Sequence, residues 1–118
     1  MGRPLSIDAF GAGGFRVSGV WRPGSLLILG DEAMDWRPAS LGDLAADDLA
    51  AVIAAGLGVS EFVLLGTGAA QGLPPRPVRE ALRAARLGLE FMSSEAAART
   101  HNVLASEGRR FATALIAV

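Results

Sequence analysis

Phe62-Val63-Leu64-Leu65-Gly66-Thr67-Gly68 is the stretch of sequence that decides the fold. Four consecutive apolar residues predict a strand buried on both faces of a sheet, because neither face then tolerates a polar side chain. The glycines that follow allow the backbone to approach a ligand or a neighbouring strand closely. The rest of the chain is therefore expected to form hairpins before this strand and helix–strand units after it.

The part of the chain before this strand, residues 6–37, has the pattern of antiparallel β-structure. Short alternating runs flank the glycine-rich segment at residues 11–14, which is typical of a hairpin connection. A second turn is expected at Pro23-Gly24. It precedes a buried strand over Leu26–Leu29 and a short strand that Pro38 ends.

Three helices are predicted, each with a start signal and a terminal glycine. They extend from Ser40 to Gly56, from Pro75 to Gly88, and from Ser93 or Ser94 to Gly108. In the first helix, Ser40 and Asp43 are placed to form a capping box. Further strands are expected at Leu89–Met92 and Phe111–Val118, and the second of these has only Thr113 as a polar member, which predicts an interior position.

The order of these elements predicts a single domain over residues 1–118 of the mixed α/β (α+β) class. A central mixed sheet carries the helices, and the first hairpins form a small N-terminal antiparallel β layer. No apolar run approaches the roughly 20 residues of a membrane span. Because an apolar signal core is also missing at the N-terminus, the sequence predicts a cytoplasmic protein.

The composition excludes several kinds of chemistry. The chain has no cysteine, so it has neither thiolate metal ligands nor a cysteine nucleophile. Eleven basic and twelve acidic residues give a net charge of −1, and the aromatic residues are two Trp and five Phe. The balanced charge offers little neutralisation of phosphates, and the few aromatic residues offer little base stacking. Nucleic-acid binding is therefore not expected.

Three motifs resemble those of a known family. They are Ile7-Asp8-x-Phe10-Gly11, the turn Gly66-Thr67-Gly68, and the C-terminal pattern Ser94…Ala97…Asn102-x-Leu104…Glu107-Gly108-Arg109. The chain resembles, over essentially its whole length, a family of small domains of unknown function (MTH-type domains). Its animal members include a mitochondrial complex I assembly factor and an adipogenesis-associated protein.

The resemblance implies a three-layer MTH-like fold whose final strand runs antiparallel to its neighbours. It also singles out Asn102, which helical spacing places nominally toward solvent. Two interpretations of Asn102 are open: a structural hydrogen bond to a neighbouring backbone, or a cleft lined together with Arg109. His101 departs from the family pattern, which often has an aromatic residue there. The bacterial members imply no activity for this chain.

The loop Gly66–Pro75 is the best candidate for a pocket in the sequence. Its glycines expose N–H groups beside a predicted helix N-terminus, and Arg76 and Arg79 are placed to bind a phosphate or carboxylate. The alternative is a loop that crosses the end of the sheet and keeps its glycines for packing. A Walker motif is excluded because the chain has no lysine. The glycine spacing and the two prolines also do not match a dinucleotide fingerprint.

A stripe of arginines follows helical spacing on the predicted second helix. Its members are Arg76, Arg79, Arg83 and Arg86. Such a stripe either docks an acidic partner or a phosphate-bearing ligand, or is a solvated face that Glu80 partly neutralises.

The acidic residues near Trp36 and the single histidine suggest little chemistry. The acidic residues are Asp31, Glu32, Asp35, Asp43, Asp47 and Asp48, and they are better explained by capping and solubility than by a metal. His101 lacks the partners for a zinc site or a catalytic triad, so a structural hydrogen bond is expected for it.

Two functional hypotheses follow. The first is a non-catalytic binding or assembly-helper domain without a cofactor, similar to the complex I assembly factor, with a protein partner and an exposed apolar patch around Trp21 and Trp36. The second is an unrecognised enzyme or a binder of a small anionic ligand, with the Gly66–Gly72 loop, Arg76 and Arg109 around the ligand. The candidate ligand-binding residues are Gly66, Thr67, Gly68, Arg76, Arg79, Asn102 and Arg109. The sequence leaves the oligomeric state open.

Overall fold

The computed structural model describes residues 4–118, so the first three residues lie outside the structural description. The eight strands are β1 (Ile7–Gly11), β2 (Gly14–Val17), β3 (Val20–Pro23), β4 (Ser25–Leu29), β5 (Glu32–Trp36), β6 (Phe62–Gly66), β7 (Gly88–Met92) and β8 (Phe111–Leu115). The three α-helices are α1 (Ala50–Ala55), α2 (Arg76–Ala84) and α3 (Ser94–Ser106). Among residues 4–118, none of these helices has the length and apolar character needed to cross a bilayer.

The strands form two sheets. Strands β1, β2 and β3 make a three-stranded antiparallel sheet, and the second sheet has the order β5-β4-β8-β6-β7. All five residues of β6 are buried, and β8 is the central strand, so both interior positions predicted from the sequence are confirmed.

The direction of the last strand differs from what the resemblance implied. Strand β8 is antiparallel to β4 but parallel to β6. The expected antiparallel arrangement is therefore wrong on the β6 side. Each connection from β6 through β7 to β8 contains a helix, and a helical crossover returns the chain in the same direction, which makes these strands parallel.

The five-stranded sheet separates two apolar clusters, because successive side chains point to opposite faces. On one face, Val63 and Leu65 pack with Val52 of α1 and Leu82 of α2. On the other face, Leu64 packs with residues of the small sheet and of α3. The mixed α/β class and the small N-terminal β layer are thus confirmed, and the molecule has three layers.

The first predicted helix is wrong over its first half. Residues Leu41–Asp43 and Ala46–Leu49 form two short 3₁₀ turns, and only Ala50–Ala55 is α-helical. The Ser40 side chain makes no capping bond, and Asp43 accepts a hydrogen bond from the Ala39 N–H instead. Asp48 accepts one from the Ala45 N–H, so two separate turns are capped where one helix was expected.

The end of the second helix is also corrected. Helix α2 ends at Ala84, and Gly88 is the first residue of β7. Arg86 has φ +62°, so the chain leaves the helical conformation before the glycine. The third helix has the expected limits, since the Ser93 hydroxyl accepts a hydrogen bond from the Ala96 N–H and Gly108 has φ +72°.

Candidate functional site

Several polar groups of the Gly66–Gly72 loop are paired within the protein. The Thr67 hydroxyl lies 2.7 Å from the carbonyl oxygen of Ala70 and 3.0 Å from that of Met92, and it accepts a hydrogen bond from the Gly72 N–H. The Thr67 N–H donates to Met92 across the end of the sheet. Thr67 therefore organises the loop from inside, and only 5 % of its surface is exposed.

The amide of Gly68 is bound to Ser94, the first residue of α3. The Gly68 N–H donates to the Ser94 hydroxyl, which in turn donates to the carbonyl oxygen of Ile116 at 2.6 Å. A Cβ on Gly66 would lie 2.7 Å from Leu115 and 2.8 Å from Ser94. The glycine thus permits a close contact between β6, β8 and α3, which favours the packing interpretation of this loop.

The arginines assigned to the loop do not converge on it. Arg76 pairs with Glu80 at 2.7 Å, and Arg79 donates to the carbonyl oxygen of Pro74. Arg109 lies over the ring of Phe62, 5.2 Å from its centroid, at the end of β6 opposite Gly66. The structure therefore does not bring Arg109 together with the loop. Anion binding by the loop together with these arginines stays a prediction, and the residues do not share a cleft.

Asn102 binds the backbone of the first strand. Its side-chain oxygen accepts a hydrogen bond from the Ile7 N–H at 2.8 Å, and its NH₂ group donates to the Ile7 carbonyl at 2.9 Å. The amide occupies the free edge of β1 as a neighbouring strand would. Asn102 and Arg109 line two adjoining hollows that share Pro4, Leu5 and Ala105, so a cleft lined by both residues stays a prediction.

His101 is a buried structural residue. Its Nε2 lies 2.8 Å from the carbonyl oxygen of Leu5 and its Nδ1 lies 2.7 Å from the Thr113 hydroxyl. Since a carbonyl only accepts, we assign the proton to Nε2 and have the hydroxyl donate to Nδ1. Burial lowers the pKa of His101, because desolvation disfavours the charged ring. The predicted structural hydrogen bond is confirmed.

Two of the acidic residues near Trp36, Asp43 and Asp48, stabilise the local structure. Arg37 bridges Asp43 and Asp48 at 3.0 and 2.7 Å, and hydrogen bonds from Arg37 lower the pKa of both carboxyl groups. Within the described residues, no group of three or more potential ligands is arranged for a metal ion. Trp36 is buried and donates to the carbonyl oxygen of Asp48, so the expected apolar patch with Trp21 is wrong on the Trp36 side.

The most distinctive surface lies on α2 and the start of β7. Three arginines surround an open hollow with an apolar floor, and we call this surface the arginine hollow. It is lined by Arg79, Arg83, Arg86, Leu82, Leu87, Gly88 and Leu89. Among residues 4–118, these three arginines have no carboxylate within ion-pair distance, whereas Arg76 on the same helix is paired. Helical spacing alone indicated the stripe, but not the apolar floor.

Comparison with families and sequences identifies relatives over nearly the whole chain. The family model described as "Protein of unknown function (DUF498/DUF598)" matches residues 7–116. An uncharacterised protein of Rhodobacter capsulatus is 40% identical over 112 residues, which are 95% of this chain and 84% of that protein. A 13 kDa major membrane protein of Francisella tularensis is 36% identical over 56 residues, or 48% of this chain and 46% of that protein.

Solved structures have the same fold. A Bordetella parapertussis protein superposes with a TM-score of 0.87 at 29% identity, covering 99% of this chain and 98% of that one. An outer membrane protein from Bartonella henselae gives 0.84 at 33% identity, with 98% and 96% covered. A Mth938-like domain from Bordetella pertussis gives 0.78 at 25% identity, with 95% and 85% covered. The resemblance to MTH-type domains is thereby confirmed.

Proposed function

Since this chain belongs to the DUF498/DUF598 family and has the Mth938-like fold, we propose that it is a non-catalytic binding protein that docks an acidic surface of a protein partner. The observation that carries the proposal is the arginine hollow. Three guanidinium groups without a carboxylate partner in the described part of the chain surround apolar side chains there. Arginine beside apolar surface is typical of protein–protein contacts.

The remaining polar groups support binding over catalysis. A general base has to accept a proton from a substrate, but both nitrogens of His101 face protein groups and only 3 % of the residue is exposed. A backbone anion site needs free N–H groups, and the N–H groups of the two loop glycines Gly68 and Gly72 are not free, because they donate to side-chain oxygens. Of the arginines of the hollow, Arg79 donates to the carbonyl oxygen of Pro74, whereas the guanidinium groups of Arg83 and Arg86 have no hydrogen-bond partner among residues 4–118.

The partner and its location are parts of the same proposal. The resemblance to the complex I assembly factor suggests a component of a respiratory complex during assembly. Two relatives are described as membrane proteins, which supports a partner held at a membrane. We place this chain at the cytoplasmic face of that membrane, in agreement with the cytoplasmic location predicted from the sequence.

The test compares two double variants with the same change of charge. Arg83→Glu/Arg86→Glu reverses two charges of the hollow, and neither guanidinium group has a hydrogen-bond partner among residues 4–118. Arg16→Glu/Arg99→Glu reverses two exposed charges on the opposite layer. Crosslinking in the native host, followed by quantitative mass spectrometry, should recover respiratory-complex components with the wild type and the control but not with the hollow variant.

Salt gives a second readout. Because exposed charges are screened within about 8 Å at physiological ionic strength, the interaction should weaken as salt is added. Recovery of the same partners by all three proteins, or of none above background by the wild type, would refute the proposal.

A further inference from the structure

The edge of the five-stranded sheet beside the arginine hollow is open. Strand β7 pairs only with β6, and it is the last strand of the sheet on that side. It is five residues long, and Leu89 belongs both to this strand and to the lining of the hollow. The unpaired edge is therefore a neighbour of arginines that have no carboxylate partner among residues 4–118.

Hydrogen bonds at the two ends of β7 show which backbone groups face outward. The Gly88 N–H donates to Glu61, and the Met92 carbonyl accepts from the Thr67 N–H. In a parallel pair of strands, the N–H and C=O groups of every second residue bond to the same neighbouring strand. The backbone groups of Gly88, Glu90 and Met92 therefore bond to β6. The N–H and C=O groups of Leu89 and Phe91 consequently point away from the sheet, and no group of residues 4–118 bonds to them.

The other edges are less suited to an acidic strand. Asn102 occupies the edge of β1, and β3 has four residues of which the last is Pro23. Strand β5 carries Glu32 and Asp35, which repel acidic side chains. Natural proteins commonly protect exposed edges in such ways. Strand β7 has no proline, no side chain is bonded across its edge within residues 4–118, and its single acidic residue is Glu90.

We propose that an extended acidic segment of the partner protein adds to β7 as a sixth strand of the central sheet. This inference rests on the proposed function and specifies how the partner binds. Main-chain bonds to Leu89 and Phe91 supply the pairing, and every second side chain of the segment faces the arginine hollow. The Glu90 side chain lies on the opposite face, because Leu89 and Phe91 pack in the cluster that contains α2.

The experiment uses isotope-labelled full-length protein and synthetic peptides. The probe is a capped octapeptide in which Glu alternates with Val. The controls are the same peptide with Lys for Glu, and a peptide with four Glu followed by four Val. Amide hydrogen exchange is measured by NMR at a peptide concentration about ten times the dissociation constant, where about 90% of the protein is bound.

The expected result is specific to two amides. Exchange at Leu89 and Phe91 slows about tenfold with the alternating acidic peptide, because only the unbound fraction exchanges. The exposed turn residue Gly58 serves as the negative control and keeps its rate. In Arg83→Glu/Arg86→Glu the affinity for the acidic peptide falls about tenfold and the lysine peptide binds instead, whereas Arg16→Glu/Arg99→Glu changes neither.

The outcomes separate strand addition from the broader proposal. Acidic-peptide binding that depends on Arg83 and Arg86 but leaves exchange at Leu89 and Phe91 unchanged overturns strand addition and keeps the acidic-partner function. Equal binding of the alternating and block peptides, or no binding of the alternating peptide at about 1 mM, also overturns strand addition. Failure of the crosslinking comparison overturns the proposed function itself.

Discussion

Polar side chains inside this fold form hydrogen bonds to backbone groups that have no backbone partner at that position. Asn102 pairs with both backbone groups of Ile7, and Ser94 joins Gly68 to Ile116. Each contact links segments that are distant in the sequence. Because an unpaired buried polar group costs about 1–3 kcal/mol, such a residue is required for stability even where it has no part in binding.

Substitution of Asn102 tests this role. Asn102→Ala leaves the N–H and C=O groups of Ile7 without their side-chain partner, so we expect the free energy of unfolding to fall by about 1–3 kcal/mol. The measurement is urea denaturation followed by circular dichroism. Val103→Ala is the matched control, since Val103 lies on the same helix with 56 % of its surface exposed, and its effect should stay within about 0.5 kcal/mol. Equal effects of the two substitutions would contradict the structural role.

At the scale of elements, the segment before α1 depends on charge. The sequence pattern predicts a helix there, but the carboxylates of Asp43 and Asp48 accept hydrogen bonds from Ala39 and Ala45 and make two separate turns. Arg37 lies between the two carboxylates and holds the turns together. Ionised carboxylates are thus needed for the conformation of this segment.

The pH dependence of stability follows from the lowered pKa values of Asp43 and Asp48. Because the folded state lowers the pKa of Asp43 and Asp48, their contribution is fully present above the unfolded-state value of about 3.9. It is lost as the pH falls through the lower folded values. Arg37→Gln should therefore destabilise the protein at pH 7, with a difference from the wild type that shrinks below about pH 4.

The measurement for this prediction is urea unfolding of the wild type and Arg37→Gln between pH 7 and pH 2.5. Arg99→Gln is the control, because the pair of Arg99 with Glu95 is exposed at the surface and such pairs contribute little. A constant difference between the wild type and Arg37→Gln across the whole range would rule out the bridge as its source.

At the scale of the whole molecule, the small sheet and the central sheet share a core. Phe15 and Val17 of β2 pack in the same cluster as Leu26 and Leu64 of the central sheet. Neither layer covers its apolar face without the other. We therefore predict that residues 4–118 unfold as one cooperative unit, as the single-domain interpretation of the sequence requires.

Two single-tryptophan variants test this prediction. Trp36→Phe leaves Trp21 as a fluorescent reporter of the small sheet, and Trp21→Phe leaves Trp36 in the central sheet. In each variant, the urea transition seen by fluorescence should coincide with that seen by far-ultraviolet circular dichroism. An earlier transition at Trp21 would show that the small sheet unfolds separately.

Several features of the site were accessible to sequence reasoning and others were not. Helical spacing identified Arg79 and Arg83 on one face of a helix, because that pattern is local. Nothing local indicates that Leu89 brings an open sheet edge to the same place, or that Arg109 lies at the opposite end of β6 from Gly66. The partners of Asn102 and Ser94 also depend on segments brought together by the fold.

The amino-acid sequence alone determined the buried strands β6 and β8, most of the hairpins, the limits of α3 and the mixed class, since these follow from the apolar pattern and from residues with restricted backbone preferences. The tertiary structure decided the direction of β8 relative to β6 and the meeting of the arginines with the edge of β7. These features depend on hydrogen bonds and packing between distant segments, whose free energy is absent until the chain is folded.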